Sequence, residues 1–173
     1  QPYKMNQNTF IQIIDPVKDK IYRLALRLLV SKEAAEDATQ DVILKLWDRN
    51  EKIKHYANIE AFAMTVTKNH CLDQLKLKNN NNLKIVHNNY ENNELSVHRQ
   101  LEIDDELEKV AQIVKGLPEQ QRMIFQLRDI EQYEFAEIAE ISGMNETAIR
   151  VNLSRARKKI REELLKKHRY GIN

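Results

Sequence analysis

Between positions 150 and 159 the chain sets Arg150, Asn152, Ser154, Arg155, Arg157, Lys158 and Lys159 along one stretch. Guanidinium forks match guanine edges, an amide can fork to adenine, and ammonium groups neutralise phosphate, so these residue types at close spacing point to duplex DNA. Interleaved with them, Ile149, Leu153, Ala156 and Ile160 recur at steps of four, three and four, which is one buried stripe of a helix. A helix that is apolar on one side and cationic on the other can lie in a major groove. Just upstream, Phe135, Ile138, Ala139 and Ile141 make a second apolar face, and Ser142-Gly143-Met144 interrupts it. Gly143 accepts the left-handed backbone that ends a helix, and Asn145 is a side chain that caps the next one. The pair reads as a helix-turn-helix. A merely solvated basic helix would leave the preceding helix and the glycine turn unexplained.

The rest of the chain must position that unit. Its 173 residues suit one ordinary domain or two small ones. With 31% charged residues, 42% hydrophobic ones and only three Gly and three Pro, the composition fits an all-α chain. The net charge of +2 hides an asymmetry. From Gly143 onward nine Lys or Arg face three Glu, whereas Glu91, Glu94, Glu102, Asp104, Asp105, Glu106 and Glu108 face Arg99 alone between His87 and Glu108. One segment attracts phosphate and another repels it. Cys71 is the only cysteine, which excludes an internal disulfide or a cysteine-rich zinc site, and it reads as a small buried hydrophobe. The five histidines have no metal-ligand spacing, and no phosphate loop or nucleophile elbow is present, so no catalytic residue, metal or cofactor is expected. The longest apolar run, Leu24 to Val30, is broken by Arg27 and falls far short of a membrane span, so no direct membrane insertion and a cytoplasmic location are expected.

Helix signals divide the chain in two. Asp15-Pro16 reads as a helix start, followed by a stripe of Val17, Ile21, Leu24, Ala25 and Leu28. Ser31 caps a second helix running through Trp47, with a core stripe of Val42, Ile43, Leu46 and Trp47. Beside that stripe lies a polar, acidic strip of Glu36, Asp37, Gln40, Asp41 and Leu44, which either meets an arginine-bearing partner helix or is an ordinary solvated face. Residues 50–57 read as loop, and Asn58 opens a third helix with Ile59, Phe62, Ala63, Val66, Leu72 and Leu75 inward. Residues 79–104 are rich in Asn and acid and read as a flexible linker. A second bundle, residues 105–169, opens with a helix that ends at Gly116. It continues from Pro118 with Met123, Ile124 and Leu127 as core, and closes with the helix-turn-helix. The expected fold is therefore all-α, two small helical bundles (residues 5–78 and 105–169) joined by a flexible linker.

Three segments carry a family resemblance. LPEQQRMIFQLRDIEQYEFAEIAEISGMNETAIRVNLSRARKKIREEL resembles the carboxy-terminal domain, region 4, of extracytoplasmic-function (group IV) sigma factors, the promoter-recognition subunits of bacterial RNA polymerase. AEDATQDVILKLW, residues 35–47, resembles the polymerase-docking helix of region 2, and AFAMTVTKNHCLDQLK, residues 61–76, resembles the helix that opens and reads the minus-ten element. The resemblance spans residues 8–166 and implies a sigma factor, not an enzyme, whose partners are core RNA polymerase, promoter DNA and an anti-sigma factor, and which is monomeric when free. By resemblance Glu36, Asp37, Gln40, Asp41 and Leu44 dock on polymerase. Ile53, Lys54, Lys68, Asn69 and Lys76 meet the minus-ten element, with Ile53 and Asn69 lining a pocket for a flipped base. Arg150, Val151, Asn152, Ser154, Arg155 and Lys158 meet the minus-thirty-five element. The linker, by the same resemblance, threads the polymerase channel. The chain departs from the family pattern at Ile53, where some relatives have an aromatic; at Gln74 and Leu77, where basic residues are common; and at Val151 and Asn152, where a small polar residue and an arginine are frequent. The competing assignment is a regulator of response-regulator type that binds DNA without polymerase. It shares the helix-turn-helix but requires an alternating strand-helix unit with an acidic pocket, which the first half lacks.

Overall fold

The computed structural model describes residues 5–82 and 105–170. Eight α-helices are described: α1 Gln7–Leu29, α2 Lys32–Asp48, α3 Asn50–Ile53, α4 Ile59–Asn82, α5 Asp105–Lys115, α6 Glu119–Phe125, α7 Phe135–Ser142 and α8 Glu146–Tyr170. Among the described residues no element is a strand.

Helix α1 starts earlier than Asp15-Pro16. Asn6 caps it by accepting from the Asn8 amide at 3.1 Å, and Pro16 lies inside. An internal proline costs a hydrogen bond and a steric clash, about 3 kcal/mol. Upstream, however, Met5, Phe10 and Ile14 are all buried and extend the expected stripe, and each large apolar side chain buried contributes about 1.5–3 kcal/mol. Burial therefore wins. Val30 ends the helix in a left-handed conformation (φ 67°), its amide donating to the Leu26 carbonyl.

Ser31 caps α2 as expected, accepting from the Ala34 amide. The segment after α2 is not all loop: Asn50 to Ile53 form one helical turn, whose Ile53 is fully buried. Asn58 caps α4 through its Oδ1, 2.9 Å from the Ala61 amide. Helix α4 carries on to Asn82, so the asparagine run does not break it at residue 78. The remainder of the expected linker, residues 83–104, lies outside the described residues.

In the second unit α5 ends at Lys115 and α6 begins at Glu119, with Pro118 as its cap residue rather than its first helical residue. From Gln126 to Ile130 the backbone widens into a π-helical turn. Such a turn rotates the following side chains relative to an α-helix. Here it buries Gln126 completely and turns Arg128 toward the start of α7. Gly143 ends α7 with φ 74°, a left-handed conformation in which any side chain is strained, and Asn145 caps α8 by accepting from the Ala148 amide at 2.8 Å.

The two units do not stand apart. The main core runs from Phe10, Ile21, Leu24 and Met64 in the first unit to Ile124, Leu127, Ile138 and Ile141 in the second without interruption. A smaller cluster, Ile113, Val114, Leu117, Phe125, Ala156 and Ile160, joins α5 and α6 to the distal half of α8. Polar groups fasten the seam. Arg23 grips Glu131 with two bonds, Nε at 2.6 Å and Nη2 at 3.0 Å. Gln126 accepts from Arg27 at 2.9 Å and donates to Glu131 at 3.1 Å. Arg122 reaches across to the Leu28 carbonyl at 3.2 Å, which satisfies a group at the end of α1. Glu60 takes bonds from both Lys20 and the Tyr133 hydroxyl.

Candidate functional site

Three surfaces were expected, and each is built from a different part of this frame. On α2, burying Ala35, Ala38, Val42 and Leu46 against the core turns the other side outward. Glu36, Asp37, Gln40, Asp41 and Leu44 are all exposed, Leu44 at 60%. The sequence strip is thus one continuous surface. Among the described residues no side-chain bond or ion pair holds Glu36, Asp37 or Gln40. Asp41 differs, because its carboxylate lies 3.6 Å from Nε2 of the buried His70 on α4. Lys45 donates to the other ring nitrogen, Nδ1, at 2.9 Å. An ammonium donor there requires a bare Nδ1, which fixes the imidazole proton on Nε2 toward Asp41. Burial, and then the Lys45 charge, hold the His70 pKa below its ordinary value against the opposing pull of Asp41 and Asp73.

The minus-ten set divides. Asn69 and Lys76 are exposed on α4, and Lys54 is exposed just after α3. Lys68 is half-buried, its ammonium 3.5 Å from the Ser142 carbonyl at the end of α7, and burial lowers its pKa. Ile53 is fully enclosed in the core and offers no surface to a base in this arrangement. The apolar side chains that do line this end are Tyr56 and Phe62, stacked with centroids 4.4 Å apart and planes 14° from parallel. They bring an aromatic face to the neighbourhood where the sequence placed Ile53.

On α8, Ile149, Leu153, Ala156 and Ile160 are buried as one stripe. Arg150, Val151, Ser154, Arg155 and Lys158 are exposed on the other side. Asn152 is half-buried and donates to the Ala148 carbonyl at 2.8 Å, so its amide is partly engaged within the helix. Cations on α8 fall into two classes. Arg157 is clamped to Asp129 at 2.9 and 2.5 Å, and Lys159 pairs with Glu163 at 3.2 Å. Arg150, Arg155 and Lys158 have no ion pair among the described residues. The Arg150 guanidinium instead lies over the Phe135 ring, 4.2 Å from its centroid. Periodicity alone sets Phe135 in the core stripe of α7; its side chain is only half-buried.

Among the described residues no group of three or more His, Cys, Asp or Glu is arranged to hold a metal ion, and no helix is long and apolar enough to cross a membrane. Cys71 is buried, and desolvation pushes its thiol up to about 12, so it is an inert packing residue.

Comparison with known proteins fits this geometry. The sigma-70 region 2 family model matches residues 13–80, and the sigma-70 region 4 model matches residues 107–160. Together they cover well over half of the chain, and a region 2 match in the first half does not favour the response-regulator reading. The chain is 22% identical to the ECF RNA polymerase sigma factor SigW of Bacillus subtilis, over 95% of this chain and 93% of that protein. It is 23% identical to the probable RNA polymerase sigma factor RfaY of Xanthomonas campestris pv. campestris, over 93% of this chain but only 42% of the length of RfaY. Its fold is that of the sigma factor RpoE of Bartonella quintana solved with the anti-sigma factor NepR (TM-score 0.73, 22% identity, 90% of this chain and 96% of that one). It also matches CnrH solved with the cytosolic domain of CnrY (TM-score 0.64, 18% identity, 92% and 89% of the two chains). With regions 2 and 4 in chain order on one all-helical frame, the chain belongs to the sigma-70 family, as a sigma factor of extracytoplasmic-function type.

Proposed function

We propose that the chain, as a group IV sigma factor, binds core RNA polymerase through the α2 strip in the cytoplasm and directs initiation at promoters whose minus-thirty-five element it reads with α8. The α4 face carrying Lys68, Asn69 and Lys76, together with Lys54, takes the separated minus-ten strand. The observation that carries the proposal is the pairing of two free surfaces of opposite character on one frame: an acidic strip on α2, and a cationic strip on α8. A DNA-binding regulator that acts alone has use for the second and none for the first. A sigma factor of the same fold, RpoE of Bartonella quintana, was solved with the anti-sigma factor NepR, which supports an anti-sigma protein as the controller of this chain as well.

The test is docking. Asp37→Lys with Leu44→Glu changes only exposed positions, which alter stability by about half a kcal/mol. The double variant should fail to comigrate with core polymerase while melting as the parent does. Undiminished comigration would remove α2 from the interface.

A further inference from the structure

We propose that Phe135 is a positioning residue for promoter recognition, its ring holding the Arg150 guanidinium ready for a base edge. The proposal rests on the placement of α8 in the groove, and its test separates the two.

The ring is itself well fixed. Phe135 is the first residue of α7, and the Glu134 amide before it donates to the Glu137 carboxylate at 2.9 Å, which secures the start of that helix. The half-buried ring packs on the main core. A second guanidinium, that of Arg128 from the π-helical turn, lies 4.5 Å from the same centroid. Arg128 is tied down in turn, donating to the Tyr133 carbonyl at 2.8 Å and lying 3.7 Å from the Glu134 carboxylate. Arg150 has no such ties: among the described residues its side chain makes no hydrogen bond and no ion pair, and the ring is what it touches.

That contact suits a reader. The donors of a guanidinium lie in its plane, so an aromatic ring can cover the face while the edge stays available for a bidentate bond to guanine. An arginine on an exposed helix otherwise loses rotamer freedom on binding. Stacking on a fixed ring removes part of that loss beforehand, and among the described residues it does so at one position of α8 only. Among the described residues Arg155 and Lys158 have no ring beneath them, and they are suited to phosphate.

The experiment uses core polymerase reconstituted with the full chain, transcribing a promoter library randomised across the minus-thirty-five element. Arg150→Ala should flatten the base preference at the position that it reads. Phe135→Leu should flatten the same position by roughly two- to fivefold in discrimination, the strength of an exposed cation–π contact. Phe135→Tyr, which keeps the ring, should restore it, and Phe135→Leu added to Arg150→Ala should cost nothing further there. Phe135→Met, close in volume, replaces the leucine variant if that one melts below the assay temperature. If Arg150→Ala leaves every base preference intact, the groove placement itself is wrong. If Arg150→Ala flattens one position but the folded Phe135 variants leave it sharp, or weaken all promoters alike, the ring does not position the arginine and the proposal falls.

Discussion

Helices α4 and α8 are nearly equal in length, 24 and 25 residues, and both are proposed to meet DNA, yet they stand in opposite situations. Most of the polar side of α8 looks into solvent from Arg150 to Lys158, and its inner face is a single stripe, Ile149, Leu153, Ala156 and Ile160, which the half-buried Leu164 continues. Helix α4 is a wall between units. It packs on α1 and α2 on one side and on α7 on the other, so that Lys68 meets the Ser142 carbonyl and Glu60 meets Tyr133. A helix that touches the rest of the molecule along one stripe declares its functional face in its periodicity. A helix that is packed from several directions does not, because which side chain remains free depends on the neighbour.

The largest expected effect tests whether the wall is real. Ile138 on α7 is fully buried in the core shared by both units. Ile138→Ala should cost about 2–5 kcal/mol through lost burial and the cavity left behind. Because the core is continuous, both units should melt together and at a lower temperature. Two calorimetric transitions of which only one moves would show that α4 and α7 do not share a core in solution.

Next in size is the contrast on α8 itself. Arg150→Ala should cost about 1–3 kcal/mol on the preferred minus-thirty-five sequence and blur one base. Lys158→Ala should weaken all sequences alike and reduce the salt dependence of promoter binding by the holoenzyme. Salt titrations of both variants on matched and mismatched promoters check this. Equal losses everywhere would put the wrong residue in the groove.

The same contrast explains what was legible in the sequence. The α8 stripe, Gly143, the Asn145 cap and the Ser31 cap all follow from local rules, with no knowledge of the partner surface. The exposed strip on α2 was legible for the same reason. Pro16 misled because a strong local signal was outweighed by burial of Phe10 and Ile14 upstream, a long-range gain. Ile53 misled because the short turn that buries it is decided by packing in the first unit's core, not by its own four residues. Phe135 counts as core by periodicity, and nothing in its own helix says that an arginine from the next helix lies on its ring. The seam of Arg23, Arg27, Gln126 and Glu131 joins residues about a hundred positions apart, which no spacing rule reaches.

A smaller effect belongs to that seam. Burial alone would raise the Glu60 carboxyl, but its bonds from Lys20 and Tyr133 outweigh burial and hold its pKa below the usual value. A depressed carboxylate adds stability that is present above the unfolded pKa, about 4.3, and is lost as pH falls through the folded value. Tyr133→Phe removes one donor. It should cost about 1 kcal/mol near neutrality, less than is usual for a bond to a charged group because Glu60 is partly exposed, and it should make the acid limb of the melting curve shallower. An unchanged acid limb would mean that the Tyr133 hydroxyl does not hold Glu60.

The smallest effect lies midway along α4, where His70 faces Lys45 and Asp41 of α2 and Asp73 of its own helix. Burial and Lys45 favour the neutral ring, the two carboxylates favour the charged one, and the net shift is downward. A depressed histidine binds fewer protons folded than unfolded, so stability should fall as pH drops below about 6.5 and stop falling once the folded pKa is passed. Protonation would also break the bond in which Lys45 donates to Nδ1, a geometry that an imidazolium cannot accept. His70→Asn removes the titrating group. Between pH 7 and pH 5 the parent should lose melting temperature relative to this variant, by the equivalent of less than about 1 kcal/mol. If the parent gains instead, Asp41 prevails over burial, and the carboxylate on the α2 strip is held by a charged histidine.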